Sequence, residues 1–134
     1  MTVHVIAGES LGARAVIDTV TPIMYLDLTL KPGGRVVQSV PREYNAFVYV
    51  VDGEGQFGAD VKRATDGQMV MFSPDGDEVT IDNRSDSDLN VLLVAGVPLN
   101  EPVVRYGPFV MNTKEEIYQA IEDYRSGRMG EIDF

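Results

Sequence analysis

Residues 95–113 read Ala95-Gly-Val-Pro-Leu-Asn-Glu-Pro-Val-Val-Arg-Tyr-Gly-Pro-Phe-Val-Met-Asn-Thr113, and they are the least generic stretch of the chain. Pro98, Pro102 and Pro108 lack a backbone N–H, so residues 97–111 are predicted to run extended along a surface rather than inside a sheet. The apolar side chains between the prolines would each contribute roughly 1.5 to 3 kcal/mol if buried. We therefore expect this segment to be a strap that packs on the rest of the domain.

A short helix is predicted directly after the strap. Thr113 stands three residues before Glu116, the spacing of a capping box, and Asn112 and Glu115 have the same spacing one residue earlier. The apolar residues that follow recur at helical spacing and predict one buried stripe: Ile117, Ala120, Ile121 and Tyr124. Gly127 predicts the end of the helix. Because a helix of about 14 residues is marginal alone, it is expected to dock on other parts of the chain.

The residues before the strap predict strands. Between Met24 and Leu30, apolar residues alternate with Tyr25, Asp27 and Thr29, which is typical of a half-buried strand. Similar but shorter signals predict further strands: Val3–Ala7, Arg35–Val40, Gln68–Phe72, Glu78–Asp82 and Leu89–Ala95. Ala46–Val51 is apolar throughout and predicts a strand that is covered on both faces.

Two glycine-rich turns divide these strands. Asp52-Gly53-Glu54-Gly55 predicts a hairpin in which residues 56–59 pair back with the preceding strand, and Ser73-Pro74-Asp75-Gly76-Asp77 predicts a second turn. About eight short strands separated by turns favour an all-β antiparallel sandwich or barrel over a βαβ fold.

The composition excludes several classes of function. The chain has 134 residues, enough for one domain, and no cysteine, which excludes disulfides, zinc-thiolate sites, iron–sulfur clusters and thiol catalysis. Its net charge of −10 argues against direct nucleic-acid binding. The single histidine, His4, is expected on the solvent face of the first strand. With no signal-peptide pattern and no run of about 20 apolar residues, the protein is predicted to be cytoplasmic, or nuclear if eukaryotic, and neither secreted nor membrane-bound.

Three stretches resemble one family. Residues 95–117, together with Ile6-Ala-Gly-Glu-Ser-Leu-Gly12 and Tyr25-Leu-Asp-Leu28, closely resemble the C-terminal half of pirins, and the likeness spans nearly the whole chain. The resemblance implies a cupin-type β-barrel or jelly roll over residues 1–96, followed by the strap and helix over residues 97–134. It also implies that iron, quercetin 2,3-dioxygenase activity and transcriptional coregulation belong to an N-terminal barrel that this sequence does not contain.

The cupin pattern of metal ligands has a glycine frame with two histidines and a glutamate, and a later frame with a third histidine. Framing the first part by Gly33 and Gly53 puts Ser39 and Pro41 at the histidine positions and Ala46 at the glutamate position. Starting from Gly34 instead puts Val40 and Arg42 there. In the second part, between Gly76 and Asn83, Val79 stands at the histidine position.

None of these side chains replaces an imidazole or a carboxylate. The resemblance therefore implies no metal ligand, no catalytic residue and no cofactor in this chain. An oxygen-ligand site for Ca²⁺ or Mg²⁺ is the alternative, and its candidates are acids in predicted turns: Asp52, Glu54, Asp75, Asp77 and Glu78.

The main hypothesis is a metal-free module with a structural or interaction role in a pirin-like protein. One alternative is the separable half of a quercetin 2,3-dioxygenase; the other is a small-molecule-binding barrel, for which Tyr44, Phe47 and Tyr49 could line an apolar cavity instead of packing in the core. Because a lone module would leave uncovered the apolar face that meets its sibling, we expect a homodimer or a complex with an N-terminal pirin barrel.

Overall fold

Thirteen strands and one helix form within residues 1–17, 19–73 and 76–132, which are the residues that this computed structural model describes. In chain order the strands are β1 (Thr2–Ala7), β2 (Glu9–Ser10), β3 (Ala13–Arg14), β4 (Ile23–Leu30), β5 (Arg35–Ser39), β6 (Asn45–Asp52), β7 (Glu54–Phe57), β8 (Lys62–Thr65), β9 (Met69–Met71), β10 (Glu78–Asp82), β11 (Leu89–Gly96), β12 (Val104–Tyr106) and β13 (Phe109–Met111). The helix α1 spans Lys114–Arg125. The chain divides into two units, Met1–Pro98 and a second that begins at Leu99.

The first unit contains two antiparallel sheets. One has five strands in the order β1-β4-β11-β6-β9, and the other has four in the order β5-β10-β7-β8. Among the described residues these remain separate sheets, so the arrangement is a two-sheet jelly roll rather than a closed barrel. Strands that follow one another in the chain cross between the sheets, as β4 and β5 do, which is the topology of a Greek-key sandwich.

One apolar core joins the two sheets. The predicted alternation in β4 is confirmed, because its buried side chains are Met24, Leu26, Leu28 and Leu30. These residues form one cluster with inward-facing residues of the four-stranded sheet such as Val36, Phe57 and Ile81. The period of two in the sequence therefore selects which face of each strand is buried.

The predicted hairpin at Gly53 is wrong. Strands β6 and β7 lie in different sheets, and β7 pairs with β8 and β10 instead. Gly53 is the corner at which the chain changes sheet: its φ is +97°, and a Cβ there would lie 2.5 Å from the carbonyl oxygen of Asp88. Glycine is needed at this position because of that approach as well as its backbone conformation.

The prediction that Ala46–Val51 is covered on both faces is also wrong. Ala46, Val48 and Val50 are buried, but Tyr49 and Val51 on the opposite face are exposed. Sheet β1-β4-β11-β6-β9 therefore has a buried inner face and an outer face that carries apolar residues. The apolar run reflects an outer surface that is itself hydrophobic, not a second covering layer.

In the second unit, residues 104–111 are extended as predicted, but they do form a sheet. Strands β12 and β13 pair as a hairpin with Tyr106 opposite Phe109, across a two-residue turn at Gly107 and Pro108. The prolines do not prevent the pairing because Pro98 and Pro102 precede the hairpin and Pro108 lies in its turn. The predicted packing of residues 97–134 on the first unit stays a prediction.

The predicted helix start is confirmed. Thr113 is the N-cap residue, and its hydroxyl accepts a hydrogen bond from the backbone N–H of Glu116 at 3.2 Å and donates one to the Glu116 carboxylate at 2.9 Å. Gly127, with φ +76°, ends the helix, and the backbone N–H of Arg128 donates to the carbonyl of Asp123.

The predicted apolar stripe of the helix is only partly right. Ile117 and Ala120 are buried and Ile121 is half-buried, but Tyr124 is exposed. Helix α1 has 12 residues, and no helix among the described residues has the length and hydropathy needed to cross a bilayer.

Candidate functional site

A cavity of about 410 Å³ opens at one end of the two sheets of the first unit. It is lined by residues at strand ends, among them Val40 just after β5, Ala46 of β6, Phe57 of β7 and Val79 of β10. All four are buried, and they give the cavity an apolar floor. This volume lies within the range of roughly 300–1,000 Å³ that is typical of small-molecule sites.

Two of the four positions that the metal motif assigns to ligands line this cavity. Ala46 and Val79 do so, whereas Ser39 and Pro41 are exposed and lie outside its lining. When the motif is taken to start at Gly33, its first two ligand positions therefore fall on residues that face away from the cavity. Apolar groups fill the two positions that do face the cavity.

The phase of β5 explains this result. Side chains alternate across a strand, and in β5 the buried ones are Val36 and Gln38 while Val37 and Ser39 are exposed. The next inward position is Val40, which the frame starting at Gly34 assigns to a ligand. Arg42, two residues further, is exposed and does not line the cavity. A shift of one residue in the frame exchanges the two faces of the strand.

The described acids of the alternative oxygen-ligand site lie at two different places in the fold. Asp52 and Glu54 flank the corner at Gly53, and the Glu54 carboxylate accepts a 2.6 Å bond from Arg63. Asp77 and Glu78 lie at the start of β10, and Asp75 lies outside the described residues, as does its neighbour Pro74 in the predicted turn. Within the described ranges, no three His, Cys, Asp or Glu side chains are placed to hold a metal ion.

The three aromatic residues proposed for a cavity separate. Tyr44 lines the cavity and also packs against the core, whereas Phe47 and Tyr49 lie on the outer face of the five-stranded sheet. Sequence reasoning missed Phe57 and Phe72, which also line the cavity. Phe57 could have been found from its spacing, since it lies two residues after Gly55 in a short alternating strand. That it lines the same cavity as Val79 could not be predicted, because the two residues lie far apart in the sequence.

The outer face of the five-stranded sheet is an extended apolar surface. One row of directly opposed residues runs Leu92, Tyr49 and Met69, and the next runs Val94, Phe47 and Met71. Tyr49 is 40% exposed and Met71 72% exposed. We call the six residues of the two rows the outer apolar face.

His4 is on the solvent side of β1 as predicted, and its Nδ1 lies 3.7 Å from an oxygen of Asp27.

A comparison with protein families identifies the chain. The family model described as "Pirin C-terminal cupin domain" matches residues 25–130, from β4 in the first unit to beyond α1 in the second. The chain belongs to the pirin family. The resemblance noted in the sequence is thereby confirmed, and so is the predicted all-β cupin fold with one short helix.

Several curated pirins are similar over almost the whole chain. The pirin-like protein of Solanum lycopersicum is 46% identical over 130 residues, which cover 97% of this chain and 45% of that protein. The pirin of Homo sapiens is 40% identical over 131 residues, again covering 97% of this chain and 45% of that protein. The chain therefore spans about half the length of the curated pirins that it matches.

Solved structures agree with this assignment. A quercetin 2,3-dioxygenase from Acinetobacter baumannii is 35% identical with a TM-score of 0.85, and the match covers 98% of this chain and 44% of that one. The protein GK1651 from Geobacillus kaustophilus is 36% identical with a TM-score of 0.70, and the match covers 75% of this chain and 41% of that one. The pirin match thus extends through both units, including the strap and helix.

Proposed function

We propose that this chain is a metal-free, non-catalytic pirin module whose role is to complete a pirin-like protein and to present a docking surface. The observation that supports the proposal is the identity of the side chains at the cavity end of the jelly roll. Val40, Ala46 and Val79 occupy inward-facing positions that the cupin motif gives to ligands. A cupin that holds iron needs imidazole nitrogens and a carboxylate at these positions.

The inward-facing polar side chain of β5 is already engaged. Gln38 is buried, its side-chain oxygen accepts a 2.7 Å bond from the Ser10 hydroxyl, and its Nε2 donates a 2.9 Å bond to the carbonyl of Ser39. An amide that makes two protein hydrogen bonds stabilises the fold and has little left to offer a metal or a substrate. Any metal chemistry of a complete pirin-like protein would then have to come from another module.

The outer apolar face is the surface that suits a docking role. Its residues lie on adjacent strands in register, so the apolar side chains form a continuous patch instead of isolated exposed groups. Contiguous exposed apolar surface of this kind usually marks an interaction site. The matched pirins are about twice as long as this chain, so a sibling module of similar size is the partner that the proposal names.

A second copy of the chain would cover the same face when no sibling is present. Two copies repel each other because each carries a net charge of −10. The outer apolar face itself contains no charged residue, so the repulsion acts over longer distances and is screened by salt. A homodimer should therefore become tighter as the ionic strength rises.

Association measurements test this function. The chain is mixed with a separately purified N-terminal pirin barrel, and the mass is followed by light scattering coupled to size-exclusion chromatography. We expect an equimolar complex and, for the chain alone, a dimer that is strengthened by salt. A chain that stays monomeric at tens of micromolar and does not bind the barrel would show that the module has no docking role.

A second candidate function is the separable half of a quercetin 2,3-dioxygenase. It is favoured by the likeness to the Acinetobacter baumannii quercetin 2,3-dioxygenase, of which this chain matches 44%. Oxygenation of quercetin should then be absent from the chain alone and appear when it is co-expressed with an N-terminal pirin barrel. An assembled pair that consumes no quercetin would exclude this candidate while leaving the docking role intact.

A further inference from the structure

We propose that oxidation of Met69 and Met71 by hydrogen peroxide switches off docking at the outer apolar face. The inference rests on the docking role proposed above and names a chemical regulation of that same surface. In the reaction each sulfur forms an S–O bond, the O–O bond of the peroxide breaks, and the departing hydroxide takes the proton of the transferred oxygen and leaves as water. The thioether is thereby oxidised to a sulfoxide and the peroxide is reduced.

Both methionines lie on an edge strand. Strand β9 is the last strand of the five-stranded sheet and, among the described residues, pairs only with β6. Val70 packs against the core, whereas Met69 and Met71 project outward and are 54% and 72% exposed. The two outward-facing side chains of β9 are therefore thioethers that a small oxidant in solution can reach.

Strand pairing places each thioether opposite an aromatic residue. Met69 lies directly opposite Tyr49 and Met71 directly opposite Phe47, so the members of each pair project from the same face of the sheet. A thioether packs well against an aromatic ring, and its flexibility lets it fit an irregular partner surface. The two pairs make up four of the six residues of the outer apolar face, so a change in the methionines alters much of this surface.

A sulfoxide does not suit an apolar interface. It is a polar, chiral group whose oxygen accepts hydrogen bonds, and burying such a group without a donor costs free energy. The Tyr49 hydroxyl is the one side-chain donor among the six residues of the outer apolar face. Two sulfoxides on each face, buried against a second face of this kind, would therefore compete for too few donors, and docking should weaken.

The other methionines provide internal controls. The chain has six methionines, and Met24 is buried in the core of the first unit. Met129 is 50% exposed, much like Met69, but it lies in the second unit after α1. Peroxide should therefore oxidise Met129 as readily as Met69 without any effect on docking, and it should spare Met24. The regulation follows from where β9 lies in the sheet rather than from unusual reactivity of its sulfurs.

Peroxide treatment of the intact chain tests the inference. The chain is oxidised, freed of peroxide and mapped by peptide mass spectrometry, and its mass is compared with that of the untreated chain by light scattering, alone and with a separately purified N-terminal pirin barrel. We expect the dissociation constant of the dimer or of the complex to rise roughly tenfold or more, which corresponds to one buried polar group without a partner. Treatment with methionine sulfoxide reductases should restore association.

Leucine variants separate oxidation of the outer apolar face from oxidation elsewhere in the chain. Leucine replaces methionine at nearly constant volume and remains apolar, but it has no sulfur. The double variant Met69→Leu, Met71→Leu should associate equally well before and after peroxide treatment. Met129→Leu is the matched control, and it should lose association on oxidation as the unaltered chain does.

The possible outcomes separate this inference from the docking role on which it rests. A chain that neither dimerises nor binds the barrel before treatment contradicts both. Association that is unchanged after complete oxidation of Met69 and Met71 overturns the inference alone. A loss of association on oxidation that persists in the double leucine variant overturns it as well, because other residues would then be responsible.

Discussion

The hydroxyl of Ser10 donates a 2.7 Å hydrogen bond to the side-chain oxygen of Gln38, and both residues are buried. This bond connects β2 to the inner face of β5 and occupies the buried polar side chain of that strand. It shows on which side of β5 the odd and even residues lie, and therefore why Ser39 points away from the cavity while Val40 lines it. This alternation puts an aliphatic side chain, not a hydroxyl, at the cavity end of β5.

Removing the Ser10 hydroxyl should destabilise the first unit. Ser10→Ala leaves the side-chain oxygen of Gln38 buried without its donor, which costs about 1–3 kcal/mol in the free energy of unfolding. Ser39→Ala, on the exposed face of the same strand, should change it by no more than about 0.5 kcal/mol. Urea unfolding measures both values. Equal effects of the two substitutions would mean that the Ser10–Gln38 bond contributes nothing specific.

Gly53→Ala should cost more than an alanine at another glycine with the same backbone conformation. Gly53 and Gly67 both have positive φ, +97° and +80°, but a Cβ would meet the carbonyl oxygen of Asp88 at 2.5 Å only at Gly53, while Gly67 faces open space. We expect Gly53→Ala to be less stable than Gly67→Ala by about 1–3 kcal/mol. Matching thermal or urea midpoints for the two variants would contradict the close approach at the corner between the sheets.

The N-cap of α1 should control the exchange of the helix amides. Thr113→Ala removes the acceptor for the backbone N–H of Glu116 and should cost about 1 kcal/mol, which corresponds to roughly fivefold faster hydrogen exchange in the first turn. Thr113→Ser keeps the acceptor and should exchange at nearly the original rate. Unchanged protection in Thr113→Ala would show that this cap is not needed.

The outer apolar face should be needed for association. Tyr49→Lys places a charge in the centre of this face and should convert a dimer into a monomer. Val37→Lys is the matched control, because Val37 is similarly exposed, 45% against 40%, but lies on the outer face of the other sheet. Light scattering reports the mass of each variant. If Val37→Lys dissociates the dimer and Tyr49→Lys does not, the interface lies on the other sheet.

Local signals in the sequence were sufficient for several elements. The alternation from Met24 to Leu30 predicted both a strand and its buried face, because one residue in two must be apolar when one face is covered. Thr113 and Glu116 predicted the start of α1, because a cap depends on residues three positions apart. Likewise, residues 95–117, together with residues 6–12 and 25–28, indicated the family.

The errors share a different physical origin. The turn at Gly53 looks the same in sequence whether the strands around it pair with each other or enter different sheets, since their actual partners are β8, β9, β10 and β11. The exposure of Tyr49 and Val51 could not be predicted, because an apolar outer face has the composition of a buried one. The metal frame at Ser39 was out of phase by one residue, an error that exchanges the faces of a strand without changing its composition.

The metal content of the purified chain tests the central claim most directly. The chain is incubated anaerobically with Fe(II), freed of unbound metal and measured by elemental analysis, with a full-length, iron-bearing pirin carried through the same steps as the positive control. We expect iron far below one atom per chain, because the residues at the inward-facing ligand positions are apolar: Val40, Ala46 and Val79. Retention of one tightly held iron per chain would contradict it.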